Sequence, residues 1–172
     1  MFNLLRYFSP TSAAITVIVA VVLGTVYRQQ AVSPLVATAE AKNVSLVQTF
    51  TNTIWPRFSA HVTSVAGADG DALRVHPETR NIHDAVQTLT AGTPVLKVKV
   101  LGLDGLTVYS SDPNQIGDDK RENPGFFGAA RDGISASKLP YRDTLSAFSG
   151  VVMDRDFVET YIPIRSTEGR VE

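Results

Sequence analysis

The 172-residue sequence contains no cysteine. That absence excludes a disulfide framework, thiolate zinc sites, thiol nucleophiles and a lipidated N-terminal cysteine. A basic excess is missing as well: 16 Lys+Arg stand against 17 Asp+Glu, so the chain lacks the electrostatic footprint of a nucleic-acid binder. Histidine is scarce, and His61, His76 and His83 show no HExxH spacing, which argues against a metal site. His76 and His83 lie seven residues apart, on or beside one predicted helix, and read as helix-surface residues. The acidic pairs Asp69/Asp71, Asp118/Asp119 and Asp154/Asp156 read as solvated turn acids. The first of them lacks the remaining ligands of a calcium loop, and nothing sets two carboxylates across a cleft for glycosidase-like chemistry. No glycine-rich phosphate loop, nucleophile elbow or Ser-His-Asp context occurs. No catalytic residue and no cofactor is therefore expected, and an exported hydrolase has no supporting constellation.

What the chain does have is an uneven distribution of apolar residues. No charge occurs between Arg6 and Arg28, and residues 13–26 read AAITVIVAVVLGTV. The 18 uncharged residues from Pro10 to Tyr27 reach the lower edge of what spans a bilayer as a helix. Tyr7, Phe8 and Tyr27 are placed as interfacial aromatics, and Arg6 with the amino terminus supplies cytoplasmic positive charge. The run is longer than a signal-peptide apolar region, and the small-x-small site Ala37-Thr38-Ala39 lies about ten residues beyond it. An uncleaved signal anchor is thus favoured over a cleaved secretory signal. Either one exports the remainder of the chain, and the lack of cysteine fits a bacterial periplasm. Arg6 and Arg28 set aside, the exported part carries 14 basic against 17 acidic residues.

Three segments follow: 1–30, a cytoplasmic stub and transmembrane anchor; 31–66, a long helix; and 67–172, an α+β core. Ser33-Pro34 suits a helix start. Leu46, Val47, Phe50, Ile54, Phe58, Val62 and Val65 then form one stripe at three- and four-residue steps. Pro56 should kink this helix, because it removes one backbone bond and crowds the carbonyl of Asn52. The membrane-proximal part of such a helix can act as a strut or dimer seam, and its later part as core. Residues 67–71 (GADGD) read as a loop. A second helix opens at His76-Pro77-Glu78, with Ile82, Val86 and Leu89 on one face. Residues 95–101 (VLKVKVL) alternate as a half-buried strand, with Leu96, Val98 and Val100 inward and Lys97 and Lys99 outward. Residues 102–105 turn the chain, and 106–111 (LTVYSS) return as the partner strand. A short helix is expected around residues 125–131, weak strand signals over 141–152, and a strong strand over 157–164 (FVETYIPI). Helices on one face of an antiparallel sheet, an α+β domain, satisfy this order.

Four stretches, in this order and spacing, resemble the extracytoplasmic Cache-type (PAS-like) sensor domains of bacterial transmembrane signalling proteins. They are NVSLVQTFTNTIWPRF (43–58), VLKVKVLGLDGLTVYSSD (95–112), QIGDDKRENPGFFGAARDG (115–133) and VETYIPI (158–164). The resemblance implies a long N-terminal helix packed on an antiparallel sheet, between two membrane spans, driving a cytoplasmic output. In close relatives that output is a diguanylate cyclase, often with a phosphodiesterase, or a histidine kinase. The last strand of the pattern, the second span and the output module do not occur up to Glu172. The resemblance therefore implies a piece of a longer receptor, itself without output chemistry.

It also implies a ligand pocket on one sheet face, under the long loop and short helix. That maps to Tyr109, Ser111, Arg131, Lys138, Tyr141 and Tyr161, with ordinary surface and packing roles as the competing reading. A small anionic metabolite or amino acid would be held there by the cationic groups and ringed by hydroxyls. The expected setting is the inner membrane, with the domain facing the periplasm and homodimerisation through the N-terminal helix. A free-standing membrane-anchored periplasmic adaptor or scaffold is the alternative.

Overall fold

The computed structural model describes residues 4–148, 150–166 and 168–172. The amino terminus and the side chains of Arg6, Tyr7 and Phe8, assigned above to the membrane interface, lie outside the described residues. The chain divides into two compact units, Met1–Ala39 and Glu40–Glu172.

The first unit is part of α1 (Leu4–Thr53). Ile15, Val17, Ile18, Val19, Val21, Val22, Leu23 and Val26 are all exposed, although burying each such side chain is worth about 1.5–3 kcal/mol. The polar side chains among them are internally satisfied: Thr16 Oγ1 donates to the Ser12 carbonyl at 2.9 Å and Thr25 Oγ1 to that of Val22 at 2.8 Å. Such intrahelical bonding suits a medium without water. This helix is long and apolar enough to cross a membrane.

In the second unit the later part of the predicted stripe lies in the core, while Leu46 and Val47 at its start are half-buried outside it. Phe50, Phe58 and Val62 are buried, and Ile54 and Val65 pack against them. Pro56 does more than kink the helix: α1 ends at Thr53 and α2 (Trp55–Ser64) begins after Ile54. The Arg57 amide bonds to the Ile54 carbonyl at 3.1 Å across the break, so the interruption is one residue wide. Residues 67–71 are not only a loop. Asp69 accepts the amides of Asp71 and Ala72 at 3.1 and 3.2 Å and so caps a short helix, α3 (Gly70–Val75); the turn former doubles as the N-cap. The second predicted helix is α4 (Pro77–Thr90), burying Thr79, Ile82, Val86 and Thr90. Leu89, expected on the same face, is half-buried and packs at the core's margin.

Strands β1 (Lys99–Leu101) and β2 (Thr107–Ser110) form the expected hairpin, paired Lys99 to Ser110, Val100 to Tyr109 and, past an irregularity, Leu101 to Thr107. The paired part of β1 is shorter than its alternating pattern, yet the Ser111 amide still reaches the Val98 carbonyl at 3.0 Å. Every residue of β2 is buried, so this strand has no solvent face. The reason is the loop that follows. It returns along β2, with the Thr107 amide donating to the Asp118 carbonyl and Gly117 donating to that of Thr107, both at 2.9 Å. Lys97 is drawn in with it and bonds Asp112 and Gln115 at 3.3 and 3.2 Å instead of facing water.

The expected short helix is α5 (Pro124–Phe127), capped by Asn123 and continued by a wider turn over Gly128–Asp132. Strands β3 (Ala136–Lys138) and β6 (Glu159–Tyr161) pair antiparallel, as do β4 (Tyr141–Ala147) and β5 (Gly150–Asp156). The weak signals over residues 141–152 thus mark the longest strands, and the strong one over 157–164 yields three paired residues. The fold is mixed α+β, with helices beside three two-stranded antiparallel sheets among the described residues.

Candidate functional site

Tyr109 and Ser111 lie at the end of the central hairpin and just beyond it. Alternation along β2 puts Thr107 and Tyr109 on one face, and that face is sealed. Tyr109 is 1% exposed, its hydroxyl shares a hydrogen bond with His83 Nδ1 at 3.2 Å, and the two rings meet edge to face. Burial, and secondarily the charge of Asp84, pushes the phenol above its ordinary value, so Tyr109 stays neutral as donor or acceptor. Phe148 also packs on His83, with centroids 6.4 Å apart. Ser111 Oγ accepts the Val98 amide at 3.2 Å. Both residues are bound into the hairpin's own framework.

Lys138 and Tyr161 are brought together, on the paired strands β3 and β6. Lys138 Nζ lies 5.4 Å from the centre of the Tyr161 ring and 3.4 Å from Glu159 Oε1. The Tyr161 hydroxyl donates to the same carboxylate oxygen at 2.6 Å. Gly125 of α5 packs on this ring: a Cβ there would meet the ring carbons, Cε2 at 2.8 Å. On the opposite face of the pair Thr160 Oγ1 receives Asn43 Nδ2 of α1 at 2.9 Å and Ser137 Oγ at 3.0 Å. Lys138, Glu159 and Tyr161 thus form a polar patch of one ammonium, one carboxylate and one phenol on the α5 side of the β3–β6 pair, while Ser137, Thr160 and Asn43 meet on its other face. An anion entering it would compete with Glu159 for Lys138, so binding there would be an exchange of carboxylates.

Arg131 and Tyr141 stand apart from these contacts. The Arg131 guanidinium lies over the Phe127 ring at 4.1 Å and is exposed. Tyr141 is 59% exposed at the start of β4, its hydroxyl 3.3 Å from Asp154 Oδ1. Asp154 itself takes a positive φ of 47°, and the pairing of β4 with β5 skips this position.

The functional groupings that sequence reasoning missed are those of histidine. His83 is a core partner of Tyr109, and His76 stacks on His61, centroids 4.4 Å apart and planes inclined by 29°. His76 and His83, read as helix-surface residues, each turn to a partner within the fold. Phe148 and Asn43 carried no signal, since their contacts span 65 and 117 residues of chain. Among the described residues no group of three or more His, Asp or Glu is arranged to hold a metal ion.

The chain matches no protein-family model and no curated protein in sequence.

Proposed function

We propose that this chain is the extracytoplasmic sensory segment of a membrane-bound signal-transduction receptor, its second unit a Cache-type (PAS-like) domain. The anchor is uncleaved, in a bacterial inner membrane, and the domain faces the periplasm. The receptor controls a cytoplasmic output such as cyclic-di-GMP synthesis or histidine phosphorylation, and this chain contributes sensing, not catalysis. The observation that carries the reading is that a single helix, α1, includes both the apolar segment and the core residue Phe50. Asn43, also in α1, is tied to the β3–β6 pair through Thr160. A ligand that altered the Lys138–Glu159–Tyr161 patch would shift β6 and, through Thr160 on the strand's other face, bias the position of α1 against that sheet, a two-state change of the kind that ligands select. A small organic anion or amino acid has the chemistry to replace Glu159 on Lys138. Homodimerisation through the exposed part of α1 would relay the change to a paired output.

Two measurements test this. An alkaline phosphatase fused after Glu172 should be active and remain with the membrane fraction; an inactive fusion would place the domain in the cytoplasm and overturn the reading. Thermal denaturation of the full chain in detergent, with a panel of organic acids and amino acids, should find stabilisation that rises with ligand concentration and disappears in Lys138→Ala. A membrane-bound, exported chain that no compound stabilises would favour the anchored adaptor.

A further inference from the structure

The stacked pair His61–His76 lies outside the candidate ligand patch and carries its own chemistry. His61 sits in the last turn of α2, and its Nε2 is buried with no hydrogen-bond partner. His76 is the N-cap of α4: its Nδ1 accepts the Glu78 amide at 3.1 Å, with Pro77 at the first helical position. The pair therefore bridges the end of one core helix and the start of another, α2 bringing Phe58 and Val62 to the core and α4 bringing Ile82 and Val86.

Each of these three features requires neutral imidazole. A protonated His76 has no lone pair on Nδ1, so it cannot accept the Glu78 amide, and it would put a cation at a helix N-terminus, where the macrodipole opposes it. A protonated His61 would be a partly buried cation without an acceptor at Nε2. Two imidazolium rings at 4.4 Å would repel. The surrounding charges do not reverse this. Glu78, in the first turn of α4, is the carboxylate that acts on His61, and it is also engaged by Asn81 Nδ2 at 3.2 Å. Arg74 of α3 is held by Asp71 and by the carbonyls of Pro113 and Ile116. Arg57 of α2 lies over Phe58, Arg80 of α4 is exposed, and Asp104 reaches the Gly67 amide past the end of α2.

We propose that the His61–His76 stack is an acid-sensitive latch between α2 and α4, closed while both rings are neutral and released when they take up protons. This is independent of the receptor reading, and its ligand is the proton. Burial first, and His76 second, lower the value of His61 below the ordinary 6.5, against a smaller opposing effect of Glu78. A group depressed in the folded state stabilises the fold above its unfolded value and loses that stabilisation as pH falls through the folded value. The latch therefore opens on the acid side of neutrality. Asp119, whose carboxyl is held at about 2 by Arg121, titrates well below that window.

The test is amide exchange at Glu78 in the full chain in detergent, corrected for the intrinsic pH dependence, between about pH 7.5 and about pH 5. In the parent, protection of this amide should fall roughly tenfold, the loss of one cap. In His76→Asn, which caps through an amide oxygen that does not titrate, protection should persist across the range. In His61→Phe, which keeps a ring against His76 without a second charge to oppose its protonation, the loss should shift to higher pH. Protection that is independent of pH in the parent would overturn the latch. So would a loss in His76→Asn that follows the parent's profile.

Discussion

Gly125 and Tyr161 are in direct contact, the backbone of α5 lying against the phenol ring with no room for a methyl group between them. Gly125→Ala would push α5 off β6 or turn the ring, and with it the hydroxyl that holds Glu159. Overpacking of this kind costs about 1–3 kcal/mol, several degrees in Tm. Gly128 is the internal control. It has helical angles, φ −61° and ψ −42°, and nothing within 4 Å of where its Cβ would be. Gly128→Ala should be neutral or stabilise by up to about 1 kcal/mol, since alanine fixes the helix at lower entropic cost. Thermal melts should therefore show a loss in Gly125→Ala and none in Gly128→Ala; a matching loss in both would mean that α5 tolerates no side chain for reasons other than Tyr161.

The difference between these two glycines also marks how far the sequence could be read. Periodicity found the elements whose information is local. The stripe through Phe50, Phe58 and Val62, the turn at residues 102–105 and the short helix before Arg131 all follow from spacing and turn chemistry. The opening at His76-Pro77-Glu78 was legible for the same reason. What was not legible is set by partners distant in sequence. Lys97 was read as solvent-facing because it alternates with valines; the loop carrying Asp112 and Gln115 covers it instead. His83 looked like a surface residue because α4 is polar around it; Tyr109 and Phe148, from two hairpins, enclose it. Of the six candidate site residues, only Lys138 and Tyr161 meet. Their contact depends on the register of β3 with β6, which pairs residues 23 apart in the case of Ser137 and Thr160.

The enclosure of Lys97 predicts a contrast between two ion pairs. Lys97 and Asp112 have side chains only 13% and 10% exposed, whereas Arg121 and Asp119 are 71% and 51% exposed. Removing one partner of a buried pair strands the other charge, at a cost of about 3 kcal/mol; exposed pairs are screened and contribute little. Asp112→Ala should lower stability markedly, and Asp119→Ala should be indistinguishable from the parent despite the shorter separation of its ions. Chemical denaturation midpoints would decide the matter. The double change Lys97→Met with Asp112→Leu should recover most of the loss, because no unpaired charge remains; equal losses from Asp112→Ala and Asp119→Ala would contradict the burial argument.

Tyr109 gives a prediction at the alkaline end. Its phenol is held above the ordinary value of 10.0, chiefly by burial and then by Asp84. Here the sign is that of a group raised in the folded state. Its contribution to stability is complete below the unfolded value and is lost as pH rises through the folded one. Followed by phenolate absorbance, the folded chain should leave this tyrosine un-ionised at pH values where a solvent-exposed phenol is ionised. Tyr109 should then ionise together with unfolding. In Tyr109→Phe the late absorbance step should be missing, and the alkaline unfolding transition should move to higher pH. That variant also removes the partner of His83 Nδ1, so its stability at neutral pH should fall by about 1 kcal/mol, the net value of one such bond. A smooth titration of all tyrosines at their ordinary value, with the fold intact, would mean that the β2 face is open to water.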